Sequence, residues 1–123
     1  MKIASIELKN FRSYRFPQKI SFGVKDKYIT ILEGENGHGK SNLLNAFYWC
    51  LFDQYWDTDK SKLIDHPNPS EVDLFNKQEL LDSSEDGNKT SILVEIEFLD
   101  DEGNKYTLKR TQKATYSDNS WKF

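Results

Sequence analysis

The chain has 123 residues, 37% of them hydrophobic, 30% charged and 14% aromatic, with a formal net charge of −3. That length supports one small domain, the aromatic content excludes a disordered chain, and the acidic balance excludes a uniformly basic nucleic-acid binder while leaving room for local basic patches. A single cysteine excludes a disulfide framework and a cysteine-cluster zinc site, and no apolar run approaches the roughly 20 residues that cross a bilayer.

Residues 1–10 mix charge with apolar side chains, unlike a signal peptide, so a reducing, cytoplasmic setting without a membrane is the expectation. Residues 2–11 carry Ile3, Ile6, Leu8 and Phe11 among polar neighbours and predict a strand. A polar turn at 12–15 leads to a second short strand at 19–22, hairpin-paired with the first. Residues 23–27 are a turn. Tyr28-Ile29-Thr30-Ile31-Leu32 reads as a buried strand. It runs into Gly34-Glu35-Asn36-Gly37-His38-Gly39-Lys40-Ser41, and a helix over 42–52 follows, apolar on nearly every side and so expected to be buried.

Residues 53–69 are polar, with Pro67 and Pro69, and predict a loop. Ser70-Glu71-Val72-Asp73 has the pattern of a helix start with Ser70 as N-cap, and the helix is expected to end near Leu81. Residues 82–89 are a hydrophilic loop. Ile92, Val94, Ile96 and Phe98 alternate through 91–99, Asp101-Glu102-Gly103-Asn104 turns the chain, and Tyr106 and Leu108 alternate through 105–111, which together predict a hairpin. Residues 114–123 add a last strand around Trp121. There is no internal repeat.

Gly34, Gly39, Lys40 and Ser41 satisfy the pattern G-x-x-x-x-G-K-[ST]. Four residues between the glycines let backbone N–H groups converge on phosphate oxygens. Lys40 reaches the phosphates as a point charge, Ser41 offers its hydroxyl to Mg²⁺, and the following helix N-terminus adds partial positive charge. The motif lies between a predicted strand and a predicted helix, as that chemistry requires.

The run Gly34 to Ala46, together with Ile6-Glu7-Leu8-Lys9-Asn10-Phe11-Arg12-Ser13, resembles the SMC/RecF-type ABC ATPases, in which a strand ending in Asn-Phe-Arg precedes the phosphate loop. Ala46-Phe47-Tyr48-Trp49-Cys50-Leu51-Phe52 and the late hairpin are similar to the DndD-like ATPases of DNA-modification and phage-defence systems. The resemblance implies an α/β fold: a P-loop NTPase, the N-terminal lobe of an ABC-type ATPase head, with a strand–loop–helix unit beside an antiparallel sheet. It implies ATP and Mg²⁺ as cofactors. It implies that Arg12 touches the phosphates, that Asn36, Gly37, His38, Gly39, Lys40, Ser41 and Asn42 wrap them, and that Ser41 meets the metal.

A Q-loop glutamine, a Walker B strand and a signature motif complete such a head. The stretch Ile96-Glu97-Phe98-Leu99-Asp100-Asp101-Glu102 imitates Walker B, but its alternation and the Gly103-Asn104 turn favour a hairpin, and Gln112 stands at a basic strand end. No sustained heptads signal a coiled coil. Residues 1–123 are therefore expected to be the N-terminal lobe of an ATPase head, either a piece of a longer protein or a short, incomplete relative, and inactive alone. The C-terminal lobe, a second head closing an ATP sandwich, DNA held through non-specific backbone contacts, and a nuclease or modification-system partner are the implied associates. The rival reading is a non-catalytic P-loop interaction module; a small-molecule or nucleotide kinase is a third.

Among smaller features, Cys50 reads as core, and His38 and His66 lack metal-ligand spacing. Trp49, Tyr55 and Trp56 read as core and its edge. Lys9, Arg12, Arg15 and Lys19 form one basic cluster; Lys105, Lys109, Arg110 and Lys113 form another. Both suit a solvated strand face, or contact with a DNA backbone. The acids at 53–59 and 100–102 read as solvated loops.

Overall fold

The structure is a computed structural model that describes residues 2–22 and 39–123. The expected turn at 23–27, the strand at 28–32 and the phosphate-loop residues Asn36, Gly37 and His38 lie outside the described residues.

Alternation of Ile6 and Leu8 with polar side chains produces β1 (Lys2–Lys9), which pairs antiparallel with β2 (Gln18–Ser21) through Ile6↔Ile20, the expected hairpin. The strand stops at Lys9, before the anticipated Phe11, because Asn10 and Arg12 adopt left-handed backbone (φ 58° and 49°). There Asn10 N–H donates to the Arg15 carbonyl (3.1 Å) and Phe11 N–H to that of Tyr14 (2.9 Å), closing a tight turn.

Helix α1 (Gly39–Phe52) starts three residues before the expected Asn42, since the last phosphate-loop residues already turn as helix. It buries Leu43, Ala46, Trp49 and Cys50, but Leu44 and Phe52 are 53% and 61% exposed, so it is not buried all round as expected. The segment expected as a loop over 53–69 contains a hairpin of β3 (Gln54–Asp57) and β4 (Lys62–Asp65), in register at Tyr55↔Ile64 and Trp56↔Leu63. Tyr55 points inward and Trp56 outward, a two-residue period on either side of a polar turn.

The expected helix over 70–81 shrinks to α2 (Lys77–Asp82), capped by Asn76 rather than Ser70. The chain at 74–75 is instead held beside the first turn by pairing: Phe75 bridges Phe11, and Arg12 N–H donates to the Leu74 carbonyl (2.9 Å). Tertiary pairing here overrides a local capping pattern.

The late hairpin forms as expected from β5 (Lys89–Leu99) and β6 (Lys105–Ser117), with Ile96↔Leu108 and Val94↔Arg110 in register. Gly103 takes φ 84° in its turn, where Asp100 accepts from the backbone N–H of Glu102 (3.0 Å) and Asn104 (2.8 Å). Those bonds spend the acid on the turn, which is what a hairpin, not a Walker B strand, requires. The last strand, β7 (Ser120–Lys122), forms around Trp121, whose indole N–H donates to the Leu80 carbonyl (3.0 Å).

The described sheet has the order β2-β1-β5-β6-β7. One face buries Ile6, Leu8, Ile92, Val94 and Ile96 completely, each worth about 1.5–3 kcal/mol. α1 packs on that face: the Cys50 thiol donates to the Val94 carbonyl (3.5 Å), and Arg110 Nε donates to the Cys50 carbonyl (3.4 Å). Cys50 is core, as expected, and burial pushes its thiol up to about 11.

Candidate phosphate-binding site

The Asn10–Ser13 turn carries Arg12 to the first turn of α1. Arg12 Nε donates to Asn42 Oδ1 (2.5 Å), and Asn42 Nδ2 donates to Ser13 Oγ (2.9 Å). The other nitrogen engaged, Nη1, donates to the Tyr55 hydroxyl and to the Asp73 carbonyl (2.8 Å). The guanidinium also lies 5.1 Å from the Tyr55 ring centroid. The Arg12 backbone is pinned as well, because Asn76 Nδ2 donates to its carbonyl (2.7 Å).

Gly39 and Lys40 open α1, Ser41 is exposed on its first turn, and Asn42 is buried beneath Arg12. The structure thus brings Arg12 to Asn42 although 30 residues separate them. A pocket of about 350 Å³ opens beside them, bordered by Arg12, Ser13, Asn42, Asp73, Asn76 and Lys77. α1 has no acidic residue in its first turn. Lys77 is paired with the one carboxylate there, Asp73 (3.1 Å), so among the described residues the Arg12 guanidinium is the cation left over, and with the acid-free first turn of α1 it makes an environment for an anion.

A guanidinium held beside a helix N-terminus fits a nucleotide's phosphates. Among the described residues no cluster of His, Cys, Asp and Glu could hold a metal by itself. A Mg²⁺ ion would take the Ser41 hydroxyl and phosphate oxygens, the arrangement in which it travels with the nucleotide.

Sequence reasoning missed Tyr55, Ser13 and Asn76 as partners of Arg12. Tyr55 had a signal in its two-residue alternation with Trp56; Ser13 and Asn76 had none, because only the folded turn brings them in.

The anticipated basic clusters are partly dissolved. Arg15 pairs with Glu79 (3.1 Å) and Asp82 (2.7 Å), Lys105 with Glu97 (3.4 Å), and Arg110 lies 3.9 Å from Asp53. Lys9, Lys19, Lys109 and Lys113 remain exposed. The acids near 53 are not all solvated: Asp53 Oδ2 lies 2.6 Å from His66 Nδ1. No helix among the described residues is long and apolar enough to cross a membrane.

An AAA domain family model matches residues 5–122 of the chain. A DNA replication and repair protein RecF of Clostridioides difficile is 31% identical over 118 residues, covering 92% of this chain and 29% of the relative. A chromosome partition protein Smc of Chlorobaculum tepidum is 36% identical over 76 residues, 62% of this chain and 6% of the relative. A DNA double-strand break repair Rad50 ATPase of Methanosarcina acetivorans is 42% identical over 52 residues, 42% of this chain and 4% of the relative. The chain therefore spans less than a third of the length of these relatives.

Proposed function

The chain belongs to the AAA domain family of P-loop ATPases, in its SMC/RecF-type branch, and from that premise we propose that it is the ATP·Mg²⁺-binding lobe of a DNA-associated ATPase. The observation that carries the reading is the side chain of Arg12 bonded to Asn42 on the first turn of the helix that follows the phosphate loop. Asn36 through Asn42 wrap the phosphates, Lys40 and Arg12 neutralise them, and Ser41 takes the metal. Bound ATP supplies the energy of phosphoryl transfer; this chain's residues bind and orient it.

Hydrolysis needs a water-positioning acid. The acidic turn after β5 does not supply it, being committed to its own backbone. The reading accordingly includes a C-terminal lobe and a second head that close over the nucleotide. The relatives named for DNA repair support a repair role, and the likeness to DndD-like ATPases supports modification or phage defence with a nuclease or modification partner; the same head chemistry serves each.

The test is calorimetric titration of the full-length protein with ATP and Mg²⁺. Lys40→Ala is expected to weaken binding by tenfold or more, about 1.4 kcal/mol or above, and to abolish hydrolysis. Unchanged ATP affinity in that variant, with DNA or partner binding intact, would establish the non-catalytic module instead.

A further inference from the structure

Arg12 spends three of its five N–H donors inside the protein, on Asn42, Tyr55 and the Asp73 carbonyl. Its Nη2 takes no partner among the described residues. A guanidinium tied at Nε and Nη1 keeps its plane fixed and presents one edge, which is how an arginine is prepared for an anion rather than left to search for it. Two of the three tethers are buried: Tyr55 is 8% exposed and Asn42 8%.

Tyr55 is itself held rigidly. The next residue, Trp56, is clamped to α1 by both ends of one amide: its N–H donates to Asn45 Oδ1 (2.8 Å) and its carbonyl accepts from Asn45 Nδ2 (3.2 Å). Asn45 lies one turn beyond Ser41 on the same helix. The β3–β4 hairpin is thus fastened to α1 and turns the Tyr55 hydroxyl and ring onto Arg12.

We propose that Tyr55 is a positioning residue of the nucleotide site: it fixes the Arg12 guanidinium against the first turn of α1, and this makes the β3–β4 hairpin part of the phosphate-binding apparatus. The proposal rests on the reading of Arg12 as a phosphate contact.

A double-mutant cycle on the full-length protein separates the two claims. ATP affinity is measured with Mg²⁺ for the wild type, Tyr55→Phe, Arg12→Ala and the pair, with a melting curve for each. Tyr55→Phe keeps the ring and loses the hydroxyl. It is expected to weaken ATP binding about threefold to tenfold, the range of one hydrogen bond. In the Arg12→Ala background it should cost nothing further. An equal loss in both backgrounds, or no loss beside intact Arg12, overturns the role of Tyr55. Unchanged affinity in Arg12→Ala alone overturns the phosphate reading of Arg12 first, and with it this proposal. Should Tyr55→Phe fail to fold, Arg12→Lys replaces it. Lysine keeps the charge but cannot hold the three tethers, so an affinity near that of Arg12→Ala supports positioning, and wild-type affinity refutes it.

Discussion

At the scale of single residues, the pair formed by His66 and Asp53 carries a pH dependence. The 2.6 Å hydrogen bond to the Asp53 carboxylate is the largest influence on the imidazole and raises its pKa; the charge of that carboxylate adds to it, and Arg110 opposes it. Protonated His66 is thus favoured in the folded state. Its stabilisation is complete below the ordinary imidazole range and is lost as pH rises through the raised value. Because the ring is exposed, the expected effect is small and is best read on the ring itself. An NMR titration should place His66 above a free-peptide histidine, and Asp53→Asn should return it to that reference. A titration unmoved by Asp53→Asn would remove Asp53 as the cause. No local pattern marks this pair, because the two residues meet only when the β3–β4 hairpin closes. The phosphate-loop string and Asn10-Phe11-Arg12 were legible for the opposite reason, since each is contiguous. Tyr55 was visible as an aromatic and invisible as a ligand of Arg12, whose guanidinium it meets across 43 residues.

At the scale of elements, the shortened α2 shows what competes with a capping pattern. Ser70 and Asp73 offered a start, but Asn68 Oδ1 accepts from Ser70 N–H (2.9 Å) to make a turn, and Phe75 is then held against Phe11 by a backbone bridge. The cap in use is Asn76, whose side chain accepts from Glu79 N–H (3.0 Å) and donates to the Arg12 carbonyl. Asn76-x-x-Glu79 was also in the sequence, and only the bridge between Phe11 and Phe75 decides between the two starts. Losing a cap costs about 1 kcal/mol, and leaving the part-buried Arg12 carbonyl unmet adds about 1 kcal/mol or more. Asn76→Ala should therefore destabilise the protein by about 2 kcal/mol or more in urea unfolding, against less than about 0.5 kcal/mol for Ser70→Ala. The reverse order of the two variants would restore the longer helix. The strands were easier to read because a period of two survives in the sequence wherever one face is buried.

At the scale of the whole molecule, the sheet sorts its charges in a way that net charge conceals. On the face away from α1 the register makes one rung of Lys19, Glu7, Glu95 and Lys109, in which opposite signs alternate with a facing pair of acids. The next three rungs on that face hold Lys9 beside Leu93, Ser91 beside Lys113, and Lys89 beside Thr115 and Lys122, with no carboxylate among them. Lys89 and Lys113 border a pocket of about 330 Å³ together with Ser91 and Thr115. The sequence supplied the lysines of β6 but not this grouping, which needs the pairing of four strands. The contact with a DNA backbone expected from the basic clusters would fall at this end of the sheet, away from Lys105, which is spent on Glu97. Each phosphate contact contributes about 0.9 to the slope of log affinity against log salt. For the full-length protein on a duplex of arbitrary sequence, Lys89→Gln with Lys113→Gln should lower that slope by about 2 and weaken binding alike on different sequences. Lys105→Gln should leave the slope in place. A slope unchanged by the double substitution would move the DNA contact off this face, and a loss confined to one sequence would mean that bases rather than phosphates are being read.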